Sequence, residues 1–146
     1  MKKALEEAES AFLEGEVPVG AVAVFDNKII ASNHNRKEQN NDPTAHAEIL
    51  TLRDASKVLG RSNLSGVHLY VTLEPCIMCS GAIILSRISG LTFGCSDPKS
   101  GGVRSLYALC EDPRLNHNLP VFSGIMKNET SEILSRFFAD LRTDKS

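Results

Sequence analysis

Residues 67–87 read VHLYVTLEPCIMCSGAIILSR, and they contain a strand, a sharp turn and a helix in immediate succession. The apolar and β-branched run Val67–Leu73 predicts a buried strand. Glu74 and Pro75 follow it, and an acidic residue before proline is typical of a helix start. The spacing therefore predicts a helix over Cys76–Arg87. A strand that passes directly into a helix indicates a sheet covered by helices.

The segment before this stretch has a second acidic-then-proline pair. Asp42 and Pro43 predict the start of a helix whose apolar face runs from Ala45 to Leu59 and which Gly60 closes. The remaining N-terminal part predicts an amphipathic helix over residues 1–14, a buried strand Val17–Phe25, a turn at Asp26-Asn27, a hairpin strand Lys28–Ser32 and a polar loop over 33–42.

The C-terminal part continues the alternation of strands and helices. It predicts a short strand Leu91–Gly94, a loop Asp97–Gly102, a helix over residues 103–110, an edge strand Leu119–Phe122 and a final amphipathic helix Asn128–Leu141. The order predicts an α/β fold, a three-layer α-β-α sandwich in which a mixed sheet has helices on both faces. Because no linker divides the 146 residues, we expect a single domain over 1–146.

The composition narrows the class of protein. Hydrophobic residues make up 42% and charged residues 23%, which excludes a disordered or fibrous chain. The net charge of −2 does not indicate a strongly basic nucleic-acid binder, but it leaves room for a local basic patch. The longest apolar run, Val17–Phe25, is far shorter than the ~20 residues of a membrane span. The N-terminus does not resemble a signal peptide, so we expect a cytoplasmic location and four reduced cysteines.

Two short motifs, His46-Ala47-Glu48 and Pro75-Cys76-Ile77-Met78-Cys79, lie at predicted helix starts. The two cysteines are three residues apart on one helical face, and His46 lies 30 residues before Cys76. A strand-helix-strand order can bring both helix starts to the same end of the sheet. One histidine and two cysteines supply three ligands for tetrahedral zinc and leave the fourth position for water, as in catalytic sites.

Glu48 is the candidate for proton transfer. It lies two residues from His46, too close on the same helical turn to act as a fourth ligand, and it can face the water. Zinc lowers the pKa of a bound water to about 7. A hydroxide beside a proton-carrying carboxylate suits the hydrolytic deamination of an amidine-like carbon in a nucleobase, for which zinc deaminases use this signature.

Other interpretations of the cysteine pair remain open. Cys76 and Cys79 could form a redox pair, although no thioredoxin-like arrangement surrounds them. A closed structural zinc site would need a fourth protein ligand. The candidates show no paired ligand spacing, and they are Cys95, Cys110, His34, His68 and His117. Cys95 and Cys110 are better interpreted as small buried hydrophobic residues.

Through these motifs and several longer segments, the chain resembles the bacterial tRNA-specific adenosine deaminases of the cytidine deaminase-like superfamily. The matching segments are GEVPVGAV (15–22), HN (34–35), DPTAHAEI (42–49), LYVTLEPCIMCSGAI (69–83), FG (93–94), DPKSGG (97–102), LNH (115–117) and FF (137–138). The two zinc motifs alone would fit cytosine, guanine or cytidine deaminases equally well. The longer segments favour the tRNA branch.

The resemblance implies a five-stranded sheet with flanking helices and a homodimer whose subunits jointly form the RNA site. It implies conversion of the wobble adenosine of a tRNA anticodon stem-loop to inosine, with release of ammonia. His46, Cys76 and Cys79 match the ligands of one Zn²⁺ per subunit, and Glu48 matches the catalytic proton carrier.

The resemblance also implies a set of substrate-binding residues. Those that match are Asn35 at the flipped base, Asp97 and Lys99 near the nucleotide sugar and its neighbours, Asn116 and His117 in a second RNA-facing loop, and Phe138 of the Phe137-Phe138 pair on the helix that closes over the substrate. The helical spacing of that pair predicts one ring in the core and one on the surface.

Two alternative functions remain. A free-base or nucleoside deaminase acting on guanine, cytosine or cytidine would use the same zinc motifs. A zinc-stabilised RNA-binding module without catalysis would use the ligands but would not require the Glu48 carboxylate.

Overall fold

The fold is built on one five-stranded sheet. The structure is a computed structural model that describes residues 1–144. Its strands are β1 (Gly20–Phe25), β2 (Lys28–His34), β3 (His68–Leu73), β4 (Gly90–Cys95) and β5 (Val121–Ser123). They lie side by side in the order β2-β1-β3-β4-β5.

The sheet is mixed, as predicted. Strand β1 pairs antiparallel with both β2 and β3, whereas β3, β4 and β5 run parallel to one another. The β1–β2 hairpin turns at Asp26 and Asn27, whose φ angles are 55° and 62°. Two consecutive positive φ angles match the right-handed twist of the strands, and Asp and Asn tolerate them better than most residues do.

Helices cover both faces of the sheet, which confirms the three-layer α-β-α sandwich. They are α1 (Lys2–Leu13), α2 (Ala47–Leu59), α3 (Ile77–Ser86) and α4 (Lys127–Asp144), with a short 3₁₀ helix at Leu109–Glu111. Helices α1 and α4 contact each other and the sheet, and α2 contacts α3 on the other side. Within residues 1–144, no helix is long and apolar enough to cross a membrane.

The core lies under the central strands. Every residue of β4 is buried, as expected for a parallel strand covered on both faces. Leu69 and Val71 of β3 and Leu91 and Phe93 of β4 belong to one apolar cluster, which Ile83 of α3 joins from above the sheet. This packing fixes the start of α3 relative to the end of β3.

The predicted helix starts are wrong by a few residues. Helix α2 begins at Ala47 instead of Asp42-Pro43, because the Asp42 side chain accepts hydrogen bonds from the N–H and hydroxyl of Thr44 and forms a local turn. Helix α3 begins at Ile77, one residue after the predicted Cys76. His46 and Cys76 are therefore the N-cap residues of the two helices, with extended backbone.

Three further predictions are corrected. Residues 103–110 do not form a helix; they form turns, and only Leu109–Glu111 is helical. The backbone N–H groups of residues 103–105 bind the Glu74 carboxylate and so do not enter a helical pattern. Strand β2 continues to His34 in the predicted loop, and β1 begins at Gly20 instead of Val17.

Candidate active site and metal centre

Two helix N-termini place the three predicted metal ligands. His46 precedes α2 and Cys76 precedes α3, while Cys79 lies in the first turn of α3. The His46 Nδ1 atom is 3.6 Å from Cys76 Sγ and 3.4 Å from Cys79 Sγ. All three ligand atoms lie within 4.8 Å of one another.

These distances fit a tetrahedral zinc ion. With Zn–S near 2.3 Å and Zn–N near 2.05 Å, a tetrahedral centre places sulfur and nitrogen about 3.6 Å apart. The two sulfur–nitrogen separations agree with this value. One imidazole and two thiols are also a donor set that zinc prefers. The residues present therefore fit the ion, and the predicted ligand set converges on one point.

The other histidines and cysteines have separate partners in the described part of the chain. His34 lies between Glu7 and Glu14 carboxylates, at 2.8 and 2.7 Å. The metal-binding group found in residues 1–144 contains only His46, Cys76 and Cys79. The remaining candidates for a fourth ligand contact other groups or are buried elsewhere: His68 beside Thr92, His117 beside the Ile88 carbonyl, Cys95 beside the Thr72 carbonyl, and Cys110 in the core.

The Glu48 carboxyl group lies beside the cluster. Glu48 is in the first turn of α2, is only 4% exposed and lines the same cavity as His46 and Cys76. Burial raises the pKa of this carboxyl to about 7. A hydrogen bond from the Cys79 thiol lowers the pKa of Cys76 to about 4, which favours the thiolate form that binds metals.

A cavity of about 450 Å³ opens over these groups. Asn35 lies in its wall, and the Asn35 side-chain oxygen accepts a hydrogen bond of 2.8 Å from the N–H of Ala47. This bond ties Asn35 to the start of α2, next to His46. It leaves the side-chain NH₂ of Asn35 as a donor for a ligand.

A second cavity of about 700 Å³ adjoins the first and shares Asp97 with it. Lys99 and Phe138 line this second cavity. Asp97 Oδ1 accepts hydrogen bonds from the N–H groups of Lys99 and Ser100, which makes the local turn that starts the loop. The structure thus brings Asp97, Lys99 and Phe138 to one side of the metal cluster.

The two predicted residues of the second RNA-facing loop lie elsewhere. Neither Asn116 nor His117 is among the residues that line the two cavities. His117 Nε2 lies 2.8 Å from the Ile88 carbonyl oxygen, and the Asn116 carbonyl accepts a long hydrogen bond from Arg87. Their contact with RNA stays a prediction.

The paired rings of α4 divide between core and surface as expected, because Phe137 is 7% exposed and lines the first cavity while Phe138 is 42% exposed.

Two residues of the site were not identified as site residues from the sequence. Glu16 and Glu74 are each 2% exposed. In the sequence each of these glutamates adjoins an apolar segment, Glu16 before VPVGAV and Glu74 after VTL, and this is the pattern that could have identified them.

The Glu16 carboxylate holds one wall of the cavity. It accepts hydrogen bonds of 3.1 and 2.8 Å from the N–H groups of Glu38 and Gln39. These residues follow Asn35 in the loop between β2 and α2. A buried carboxylate satisfied by backbone donors thereby secures the loop that carries Asn35.

Replacement of one cysteine ligand tests the metal centre. We expect Cys76→Ser to lose zinc, because a serine hydroxyl is a poor zinc ligand and two donors remain. Cys110→Ser is the matched control, since Cys110 is buried outside the cluster and should leave the zinc content unchanged. Metal analysis of both purified variants checks this, and a full zinc content in Cys76→Ser would contradict the ligand assignment.

Known proteins are similar to this chain over almost its whole length. The family model of MafB19-like deaminases matches residues 1–142. A tRNA-specific adenosine deaminase of Bacillus subtilis (strain 168) is 47% identical over 145 residues, which are 99% of this chain and 90% of the relative. Another, from Aquifex aeolicus (strain VF5), is 48% identical over 144 residues, covering 99% of this chain and 95% of the relative.

A solved structure has the same fold as this chain. A solved structure from biochemical and structural studies of A-to-I editing by tRNA:A34 deaminases has a TM-score of 0.89 and 48% identity, covering 92% of this chain and 97% of that chain. The His-Cys-Cys group agrees with zinc as the cofactor of a deaminase of this type. The resemblance predicted from the motifs is confirmed: the chain belongs to the MafB19-like deaminase family and, within it, to the tRNA-specific adenosine deaminases.

Proposed function

We propose that this protein catalyses the hydrolytic deamination of the wobble adenosine in a tRNA anticodon loop, which yields inosine and ammonia. The observation that carries the proposal is the position of Glu48. Its buried carboxyl group lies in the same cavity wall as His46 and Cys76, in a chain 47% identical to a tRNA-specific adenosine deaminase. A purely structural metal site would not require that carboxyl group.

In the proposed site His46, Cys76 and Cys79 hold zinc, and bound zinc supplies a Lewis acid that makes water nucleophilic at neutral pH. The oxygen of water ends on carbon 6 of adenine, and the bond from that carbon to the amino nitrogen breaks. Glu48 accepts a proton from water, delivers it to ring nitrogen 1 and then carries the second proton to the leaving amino group.

The walls of the two cavities provide the groups that would orient the nucleotide. The Asn35 NH₂ group would donate to the base, and Asp97 lines both cavities. Lys99 and Arg142 supply positive charge beside Phe138 in the second cavity, which suits a neighbouring nucleotide with its phosphate. The bases of an anticodon loop are easier to unstack than those of a duplex.

The remaining predicted contacts belong to the same proposal. Asn116 and His117 lie outside both cavities, so they would contact a part of the stem-loop other than the reacting adenosine. A tRNA substrate is also in keeping with a cytoplasmic protein whose cysteines Cys76, Cys79, Cys95 and Cys110 are all free.

We also propose that the protein is a homodimer whose subunits jointly form the RNA site. Helix α3 exposes three large apolar side chains, with Ile77 51%, Met78 37% and Leu85 83% exposed. A groove of about 390 Å³ lies between α2 and α3, and Ile49 and Leu85 are among its lining residues. Large exposed apolar side chains gathered on one helix are typical of protein interfaces, and a second copy of α3 would offer the same apolar side chains.

The substrate assignment is tested with an anticodon stem-loop that carries adenosine at the wobble position. We expect the zinc-loaded protein to form inosine from this RNA. We expect no ammonia from guanine, cytosine or cytidine, because these small substrates have no neighbouring nucleotide to bind in the second cavity. Nucleoside analysis and an ammonia assay measure the two outcomes. Ammonia from the small substrates with no inosine in the RNA would favour the free-base deaminase instead.

Glu48→Gln tests the proton carrier at nearly constant volume. The variant should keep its zinc and lose deamination by about 10²–10⁴-fold, because general acid–base catalysis contributes that much. Single-turnover inosine formation measures the rate, and metal analysis measures the zinc. Glu132→Gln, at an exposed position of α4, is the control and should act like the wild type. Retained turnover in zinc-loaded Glu48→Gln would remove Glu48 from the mechanism.

Leu85→Asp tests the dimer. The charge would have to be buried in the apolar interface, so we expect a monomer, detected by size-exclusion chromatography with light scattering. Leu13→Asp is a closely matched control, because Leu13 is 84% exposed but ends α1 on the other face of the sheet. A wild-type protein with the mass of one chain, or a dimer that survives Leu85→Asp, would contradict the proposed interface.

A further inference from the structure

The Glu74 carboxylate is buried and bound entirely by one loop. Glu74 is 2% exposed and lies just after β3, two residues before the metal ligand Cys76. Its oxygen Oε2 accepts hydrogen bonds from the N–H groups of residues 103, 104 and 105, at 3.2, 2.8 and 2.9 Å. Its oxygen Oε1 accepts one of 3.0 Å from the N–H of Asp97 and another from the Ser105 hydroxyl.

These bonds use the whole acceptor capacity of the group. An ionised carboxylate offers about four lone-pair sites, and here the five donors all come from residues 97–105. Glu74 therefore does not face the cavity as a reacting group, although it lines it. The carboxylate joins the two ends of the loop, because Oε1 accepts from the N–H of Asp97 and from the Ser105 hydroxyl, and Oε2 accepts from the three N–H groups of residues 103–105.

Two glycines let the loop approach the carboxylate this closely. A Cβ atom on Gly101 would collide with the Glu74 carboxyl group, and one on Gly102 would press on the backbone of Ile77. Gly101 forms a bridge with Cys76, and the Gly102 N–H donates to the Pro75 carbonyl at 2.9 Å. The loop is thus attached directly to the residues that place the metal ligand.

The same loop forms the wall between the two cavities. Asp97 and Ser100 line both of them, and Lys99 lines the second. Glu74 contacts this loop through its carboxylate and precedes Cys76 by two residues in the chain, so it joins the wall of the cavities to the metal ligand.

We propose that Glu74 is a positioning residue for the deamination, which holds the 97–105 loop in register with the metal-binding helix. This inference rests on the proposed function. Glu74 acts through Asp97 and its neighbours and not on the reacting atoms, so its loss should weaken productive RNA binding more than the chemical step. It links the metal centre and the substrate wall through one side chain.

Glu74→Gln is the test, because it keeps the volume and changes one oxygen to NH₂. The amide oxygen can still accept hydrogen bonds from the three N–H groups of residues 103–105. The NH₂ group then faces the N–H of Asp97, and because both groups are donors, that hydrogen bond is lost. We expect full zinc content, a KM for the anticodon stem-loop raised about tenfold or more, and kcat within about threefold of wild type. Hydrogen exchange at the Asp97 amide should become faster.

Two other outcomes would overturn the proposal. An unchanged KM together with unchanged exchange at Asp97 would show that the loop keeps its place without the carboxylate. A loss of activity in proportion to lost zinc would assign Glu74 to the stability of the metal centre instead. Glu132→Gln, the same change at an exposed position of α4, is the control and should leave KM and the exchange at Asp97 unchanged.

Gly101→Ala provides an independent route to the same effect. Its Cβ would displace the loop from the Glu74 carboxyl, so we expect the raised KM of Glu74→Gln with zinc retained. Because the collision is with that carboxyl group, the double variant Glu74→Ala/Gly101→Ala should be no worse than Glu74→Ala alone. Fully additive effects would argue against direct coupling. If wild-type protein forms no inosine, the proposed function fails, while zinc content and hydrogen exchange still test the positioning.

Discussion

The imidazole of His46 and the sulfur atoms of Cys76 and Cys79 meet because two helices begin at the same edge of the sheet. His46 and Cys76 are N-cap residues with extended backbone, so their side chains point across the gap between the helices instead of lying along a helical face. The position of α3 follows from its packing, through residues such as Ile83, on the buried central strands. The arrangement of the three ligand side chains is therefore a consequence of how the core packs, and the cavity lies over these side chains.

Buried carboxyl groups then serve two different purposes. Glu48 has few polar partners, and its environment disfavours the charged form, which is the condition that suits proton transfer near neutral pH. Glu16 and Glu74 are equally buried, but their carboxylates accept hydrogen bonds from backbone N–H groups of loops and hold those loops. A buried glutamate is thus suited to proton transfer or to anchoring a loop according to the hydrogen-bond donors around it.

The two anchors, Glu16 and Glu74, act on different loops that both line the cavity. Glu16 holds the segment after Asn35, whereas Glu74 holds the loop that begins at Asp97. Loops on a protein surface need such fixed points, because their backbone groups lack the regular partners of helices and strands. The two carboxylates therefore keep both loops in place relative to His46.

The amino-acid sequence by itself determined the alternation of strands and helices, the mixed sheet, the His46, Cys76 and Cys79 set and the place of Glu48. These depend on short-range patterns: apolar periodicity, residue spacing and a three-residue cysteine separation. Only the tertiary structure decided that residues 103–105 turn back onto Glu74. The hydrogen bonds of the 97–105 loop to Glu74 join groups 23 to 31 residues apart, so the local pattern predicted a helix over 103–110 where long-range contacts impose turns.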